Sequence, residues 1–147
     1  MIHHLNQDCF HNTDSKGRLL LPRAIRDEFK IKKGDKLFLV PDLSNPPYLE
    51  VRTATQWAEY RKSLREDTAG EKKKLTFRYA DLIKETATVD GQGRFLIPQR
   101  MRDTCKLVGE VAVINMDDYV EIWAKDHVAK RFEDMVKAFK EINDRMF

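Results

Sequence analysis

The sequence predicts an α+β protein built from two copies of one small unit that share a single core. Three observations lead there. First, Asp14-Ser-Lys-Gly-Arg-Leu-Leu-Leu-Pro-Arg-Ala-Ile-Arg-Asp27 aligns without gaps on Asp90-Gly-Gln-Gly-Arg-Phe-Leu-Ile-Pro-Gln-Arg-Met-Arg-Asp103, at a constant offset of 76, with seven of 14 positions identical. Self-similarity at this level marks a duplication. Second, short apolar runs bounded by turn clusters alternate with helical periodicities in both halves. Third, 147 residues suffice for one compact domain or two small, tightly packed halves, and a unit of about 60 residues buries too little surface to stand alone.

Each element follows from local chemistry. Asp14-Ser-Lys-Gly17 and Asp90-Gly-Gln-Gly93 are turns, the last Gly of each supplying a positive φ or a bulge. Arg18–Leu21 and Arg94–Ile97 read as buried strands, and Pro22 and Pro98 stand where a helix can begin. Residues 23–29 and 99–105 make two helical turns each. Leu37–Val40 and Val111–Ile114 are strands, with Pro41 and Pro46-Pro47 marking a longer loop in the first half. Tyr48-Leu-Glu-Val51 and Tyr119-Val-Glu-Ile122 match and lead into helical segments. Residues 65–74 are polar and charged and read as an exposed link between halves. In the last segment Asp126 suits an N-cap, and Val128, Phe132, Met135, Val136, Phe139, Ile142 and Met146 recur at helical spacing. Such a stripe packs on the protein's own core or on another subunit.

Composition narrows the function. Apolar residues make up 41% and charged residues 35%, which describes a globular chain with a well-solvated surface. No apolar run approaches the roughly 18 residues of a membrane span, and the start has no signal-peptide pattern, so a soluble intracellular protein is expected. Cys9 and Cys105, the two cysteines, allow neither a disulfide framework nor a Cys-rich zinc site. His3, His4 and His11 lack the ligand spacing of a structural metal site, and Cys9 with His11 does not make a catalytic pair. No Gly-x-Ser-x-Gly, Walker A or dinucleotide signature is present. Neither an enzyme, a metal nor a cofactor is expected. The net charge of +3 is modest, but residues 1–36 carry a balance of +3 and residues 111–147 one of −2. That asymmetry points one end towards an anionic partner.

The repeated Asp-x-x-x-Arg unit carries the remaining chemistry. Asp14 with Arg18, and Asp90 with Arg94, can pair across the turn and hold its shape around Gly17 and Gly93. The arginines have a second reading. A guanidinium at a turn-to-strand junction can point out of the sheet, where its planar fork suits phosphate or a guanine edge. Lys16 and Arg23 lie near Arg18, and Gln92, Arg100 and Arg102 near Arg94. Two such faces would form a basic strip for nucleic acid.

Both motifs, in order, and the closing Glu121-Ile122-Trp123 resemble the MraZ family of bacterial proteins with two tandem SpoVT/AbrB-like domains. The resemblance covers nearly the whole chain. It implies two AbrB-like domains, residues 1–64 and 85–147 with a linker at 65–84, joined as swapped hairpins in one β-barrel-like core with peripheral helices. It also implies a cytoplasmic, nucleoid-associated homo-oligomer, a ring of subunits. Such a ring binds double-stranded DNA at promoter direct repeats upstream of the division and cell-wall gene cluster, usually as a repressor. Carried onto this chain, the DNA-contacting positions are Arg18 and Arg94, with Lys16 and Gln92 in the adjoining turns. A protein-interaction module, the role of some AbrB-like antitoxins, is the second reading, and a hydrolase or transferase a distant third.

Overall fold

The turn clusters and apolar runs become two antiparallel sheets in a computed structural model that describes residues 5–66 and 70–146, the side chain of Met146 excepted. His3, His4 and residues 67–69 of the expected link lie outside the described residues. In chain order the elements are β1 (Phe10–Asn12), β2 (Arg18–Leu20), α1 (Arg23–Glu28), β3 (Lys36–Asp42), β4 (Tyr48–Thr53), α2 (Ala54–Leu64) and α3 (Glu71–Ile83). They continue as β5 (Glu85–Thr88), β6 (Arg94–Leu96), α4 (Gln99–Cys105), β7 (Glu110–Asn115), β8 (Val120–Ala124) and α5 (Lys125–Met146).

The larger sheet has the order β1-β7-β8-β4-β3-β5, and β2 pairs with β6 in a separate two-stranded ribbon. Strands from the first half of the chain therefore pair with strands from the second at β1–β7, β4–β8, β3–β5 and β2–β6. The fold is α+β. The larger ladder is open, because β1 and β5 are its ends and do not pair with each other, so the described strands form no closed barrel. β1 is three residues long and β5 four, and the ribbon covers one face of the core through Leu19 and Phe95.

Strict alternation along the strands sorts the core. Leu37 and Leu39 of β3, Leu49 and Val51 of β4, Val111 and Val113 of β7, and Val120 and Ile122 of β8 face one cluster. The ribbon and the short helices close that cluster with Leu19, Phe95, Ile25 and Met101. The alternate positions face outward under the longer helices. Val40 and Phe38 meet Trp57 of α2 and Ala80 of α3, while Ala112 and Trp123 meet Val128 of α5. A capping box at Thr53 and Gln56 starts α2 where β4 ends.

Several local expectations shift by a residue or more. Pro22 and Pro98 are N-caps with extended ψ values of 140° and 146°, one residue before the helices they introduce. α5 starts at Lys125, so Asp126 is not its cap but sits in the first turn, where its charge opposes the helix dipole favourably. Residues 71–83, within the expected linker, are helix α3 with Ala80 buried against Trp57. Pro41 lies inside β3 rather than in a loop. It is tolerated because β5 stops pairing at Leu39, and the Tyr79 hydroxyl donates to the Pro41 carbonyl on that side. No described helix is long and apolar enough to cross a membrane.

Leu19 and Phe95 are direct cross-strand partners, at 0% and 1% exposure. Phe95→Ala would empty the centre of the shared core, and it should cost about 3–5 kcal/mol in urea unfolding. An effect under 1 kcal/mol would show that the ribbon is not part of the cooperative unit.

Candidate nucleic-acid interface

The ribbon presents the repeated motif. Its register sets Arg18 opposite Leu96 and Leu20 opposite Arg94, so two arginines and two leucines alternate with the buried Leu19–Phe95 pair. The outer ribbon face thus carries Arg18, Leu20, Arg94 and Leu96 in a twofold arrangement, with both leucines half exposed.

The two turns are built alike. Asp14 Oδ1 accepts the backbone N–H groups of Lys16 and Arg18, both at 2.9 Å, and Oδ2 accepts Arg18 Nε at 2.7 Å. Asp90 accepts Gln92 N and Arg94 N at 2.9 Å and Arg94 Nε at 2.9 Å. Gly17 N and Gly93 N donate to the Asp14 and Asp90 carbonyls. The structure shows the first reading of the motif, an aspartate and an arginine paired across each turn. The aspartate takes Nε, and the terminal nitrogens of each guanidinium have no hydrogen-bond partner among the described residues. Arg18 and Arg94 remain 32% and 27% exposed as side chains, oriented yet reachable. Chiefly the Arg18 backbone N–H, with its guanidinium and the Lys16 N–H, holds the Asp14 carboxyl down at about 2. The Arg94 N–H does the same for Asp90, which is also lowered.

Each turn depends on the opposite half. A Cβ on Gly17 would lie 2.5 Å from the Arg102 guanidinium carbon, and one on Gly93 would lie 2.8 Å from Arg26 Nη1. Arg102 Nε donates to the Ile97 carbonyl, and Arg26 Nε donates to the Leu21 carbonyl. Ile97 N–H in turn donates to the Gly17 carbonyl, and Leu21 N–H to that of Gly93. Each half thus lays an arginine across the other half's glycine. Arg26 is absent from the sequence-derived site, and its bracing role and that of Arg102 were missed. The available signal was their identity at the same repeat position, which spacing alone could not distinguish from a solvated helix face.

The remaining expected residues divide. Lys16 and Gln92 are exposed in the turns beside the arginines. Arg23, 86% exposed, opens α1 with only a long 3.7 Å pair to Asp27. Arg100 is engaged elsewhere, held to Glu85 at 3.1 Å and donating to the Ile83 carbonyl. Lys33, unremarked in the sequence, runs 3.6 Å from a Cβ placed on Gly91 and adds a cation to the second turn. Cys105 is fully buried in the core, and burial pushes its thiol up to about 12. Among the described residues no group of His, Cys, Asp and Glu gathers to hold a metal ion.

Two outcomes test this site. Gly17→Ala combines a φ of +87° with contact on Arg102, and should cost at least about 1–2 kcal/mol from the left-handed backbone alone. Combining it with Arg102→Ala in a double-mutant cycle should recover only the steric part; full additivity would refute the contact. Because Asp14 titrates lower in the folded protein than the roughly 3.9 of a free carboxyl, its turn contributes fully above that value and fades as pH falls towards 2. Carboxyl NMR should place the Asp14 midpoint near pH 2, and a midpoint near 4 would dissolve the proposed clamp.

The chain is similar in sequence to known proteins along most of its length. Residues 84–147 match a family profile described as "MraZ protein, putative antitoxin-like". A protein of Phocaeicola vulgatus named transcriptional regulator MraZ is 33% identical over 135 residues, covering 88% of this chain and 87% of the relative. Its namesake in Desulforamulus reducens is 35% identical over 125 residues, covering 79% and 78%. Another, from Caldanaerobacter subterraneus, is 30% identical over 137 residues and covers 92% of both chains. With relatives this similar along most of both halves, and a paired Asp-x-x-x-Arg ribbon in the structure, the chain belongs to the MraZ family.

Proposed function

We propose that the protein is a sequence-specific DNA-binding transcriptional regulator whose contact element is the β2–β6 ribbon. The observation that carries this reading is the pair of clamped arginines on one outer ribbon face. A two-stranded ribbon is one of the shapes the major groove of B-DNA admits. There the free forks of Arg18 and Arg94 suit guanine O6 and N7, and Leu20 and Leu96 suit thymine methyls. Lys16, Lys33 and Arg23 at the margins, with Gln92 in the second turn, would hold phosphates and fix register. The names of the relatives support regulation of transcription.

In the fuller form of this proposal the halves 1–64 and 85–147 are tandem AbrB-like domains joined through 65–84, with strands exchanged between them as swapped hairpins. The exchange of partners at β1–β7 and β3–β5 supports that arrangement. Several copies act together as a ring at promoter direct repeats upstream of the division and cell-wall genes, as a repressor in the cytoplasm. One short ribbon binds weakly, and linked ribbons on successive repeats multiply affinity through effective concentration.

Fluorescence anisotropy on the DNA upstream of the protein's own gene, at two salt concentrations, tests the reading. Arg18→Ala and Arg94→Ala should each lose about 1–3 kcal/mol per site and relax specificity, while Lys16→Ala should weaken all sequences alike and flatten the salt dependence. Equal, weak binding by wild type and both arginine variants would remove the ribbon as the contact element.

A further inference from the structure

The positive charge of the chain is concentrated away from the ribbon. Residues 61–78, which span the end of α2 and the first two turns of α3, hold seven arginines and lysines against three acidic residues, a balance of +4. The whole chain carries +3, so the rest of it stands at −1. Part of this excess works against local stability. Lys72, Lys73 and Lys74 lie in the first turn of α3, where the helix dipole disfavours cations, and Gly70 supplies no side-chain cap. Local rules broken without a compensating contact are expected at functional surfaces.

The fold shapes the excess into a groove. Arg65 from α2 and Lys74 and Arg78 from α3 line a hollow of about 360 Å³ over Leu64 and Phe77. Glu66 is the one carboxylate among its described lining residues. The side chains of Arg65 and Arg78 are exposed and have no ion-pair or hydrogen-bond partner among the described residues. Lys74 reaches Glu71 only at 3.8 Å. Arg61 fastens the two walls, its guanidinium 5.0 Å from the Phe77 ring and its Nη2 3.4 Å from Asp81. The groove also faces away from the arginine ribbon. Helices α2 and α3 cover Phe38 and Val40 on one side of the large sheet, while Leu19 and Phe95 of the ribbon close the core on the other. A straight duplex lying on the ribbon does not reach it.

We propose that the α2–α3 groove is a second, sequence-independent DNA contact, which grips the phosphates of a duplex segment other than the one on the ribbon. Arg65 and Arg78 place their planar forks on phosphate oxygens, and the lysines neutralise neighbouring ones. Two helices side by side are too wide for the major groove, which admits one, so the contact stays on the backbone. That the polyanion is DNA rests on the function proposed above, whereas the cationic groove does not.

Anisotropy on a random-sequence duplex across a range of salt concentrations tests the proposal. Combining Arg65→Gln, Lys74→Gln and Arg78→Gln removes three phosphate contacts, so the slope of log affinity against log salt should flatten by about 2–3. With the ribbon occupied by one equivalent of unlabelled upstream DNA, a labelled random duplex should still bind wild type and should not bind the triple variant. Circular dichroism checks folding, and Lys72→Gln with Lys73→Gln, which should flatten the slope by about 1–2, repeats the test if the triple variant unfolds. An unchanged slope in folded variants, or exclusion of the labelled duplex from loaded wild type, would overturn the groove as a DNA contact. An unchanged slope together with lost binding to phosphatidylglycerol vesicles would overturn it in favour of a membrane surface. If wild type and Arg18→Ala bind upstream and random DNA alike while the triple variant flattens the slope, the ribbon reading fails and the groove stands.

Discussion

The arginine-bearing ribbon depends on a reciprocal contact, the arginine of each half laid across the glycine of the other. Gly17 and Gly93 must be glycine twice over, for a positive φ and for the space that Arg102 and Arg26 occupy. With the turn held from outside, its N–H groups converge on one aspartate oxygen, and the other oxygen takes the arginine Nε. The guanidinium is thereby oriented before any ligand arrives, which lowers the ordering cost of binding. Because each brace comes from the other half, neither copy of the motif can form this surface by itself.

The opposite side of the large sheet follows a different physical logic. Glu50 and Glu121 are direct cross-strand partners, a like-charge arrangement that destabilises a sheet unless compensated. Arg52, 5% exposed, pairs with Glu50 at 2.9 Å and lies between the rings of Tyr60 and Tyr119. Glu121 accepts the Tyr119 hydroxyl at 2.7 Å and Trp123 Nε1 at 3.0 Å. Burial outweighs the Arg52 charge and raises the Glu50 carboxyl. This polar seam lies where α2 covers β4, with its charges paired inside it. The arginine ribbon and the outer helices thus stand on opposite faces of one core.

That separation has a mechanical consequence. Arg18 and Arg94 lie on a three-residue ribbon anchored by Leu19 and Phe95, so they move with the core rather than with a loop. Helix α5, in contrast, leaves the body after its first turns. The arginines are therefore held rigidly, whereas the outer part of α5 is the more exposed element.

Much was legible in the residues alone. The repeat determined the duplication, both Asp-x-x-x-Arg turns, the strands after them and the short helices, because turn chemistry and hydrophobic period are local properties. Strands β1 and β5 were not legible, since Phe10–Asn12 and Glu85–Thr88 are too short for alternation and exist only through their partners. Helix α3 was hidden for a related reason. Its lysine-rich start reads as linker, and packing of Ala80 and Tyr79 on the sheet decides it. Pro41 misled because proline in a strand is acceptable only where the neighbouring ladder has ended. Only the tertiary structure decided that Arg26 and Arg102 brace the glycines, that Arg100 is tied to Glu85, and that Lys33 reaches the second turn. The glycine and Lys33 contacts join residues about 60 to 85 positions apart and the Arg100–Glu85 pair residues 15 apart, and no local period records which partner a long side chain will meet.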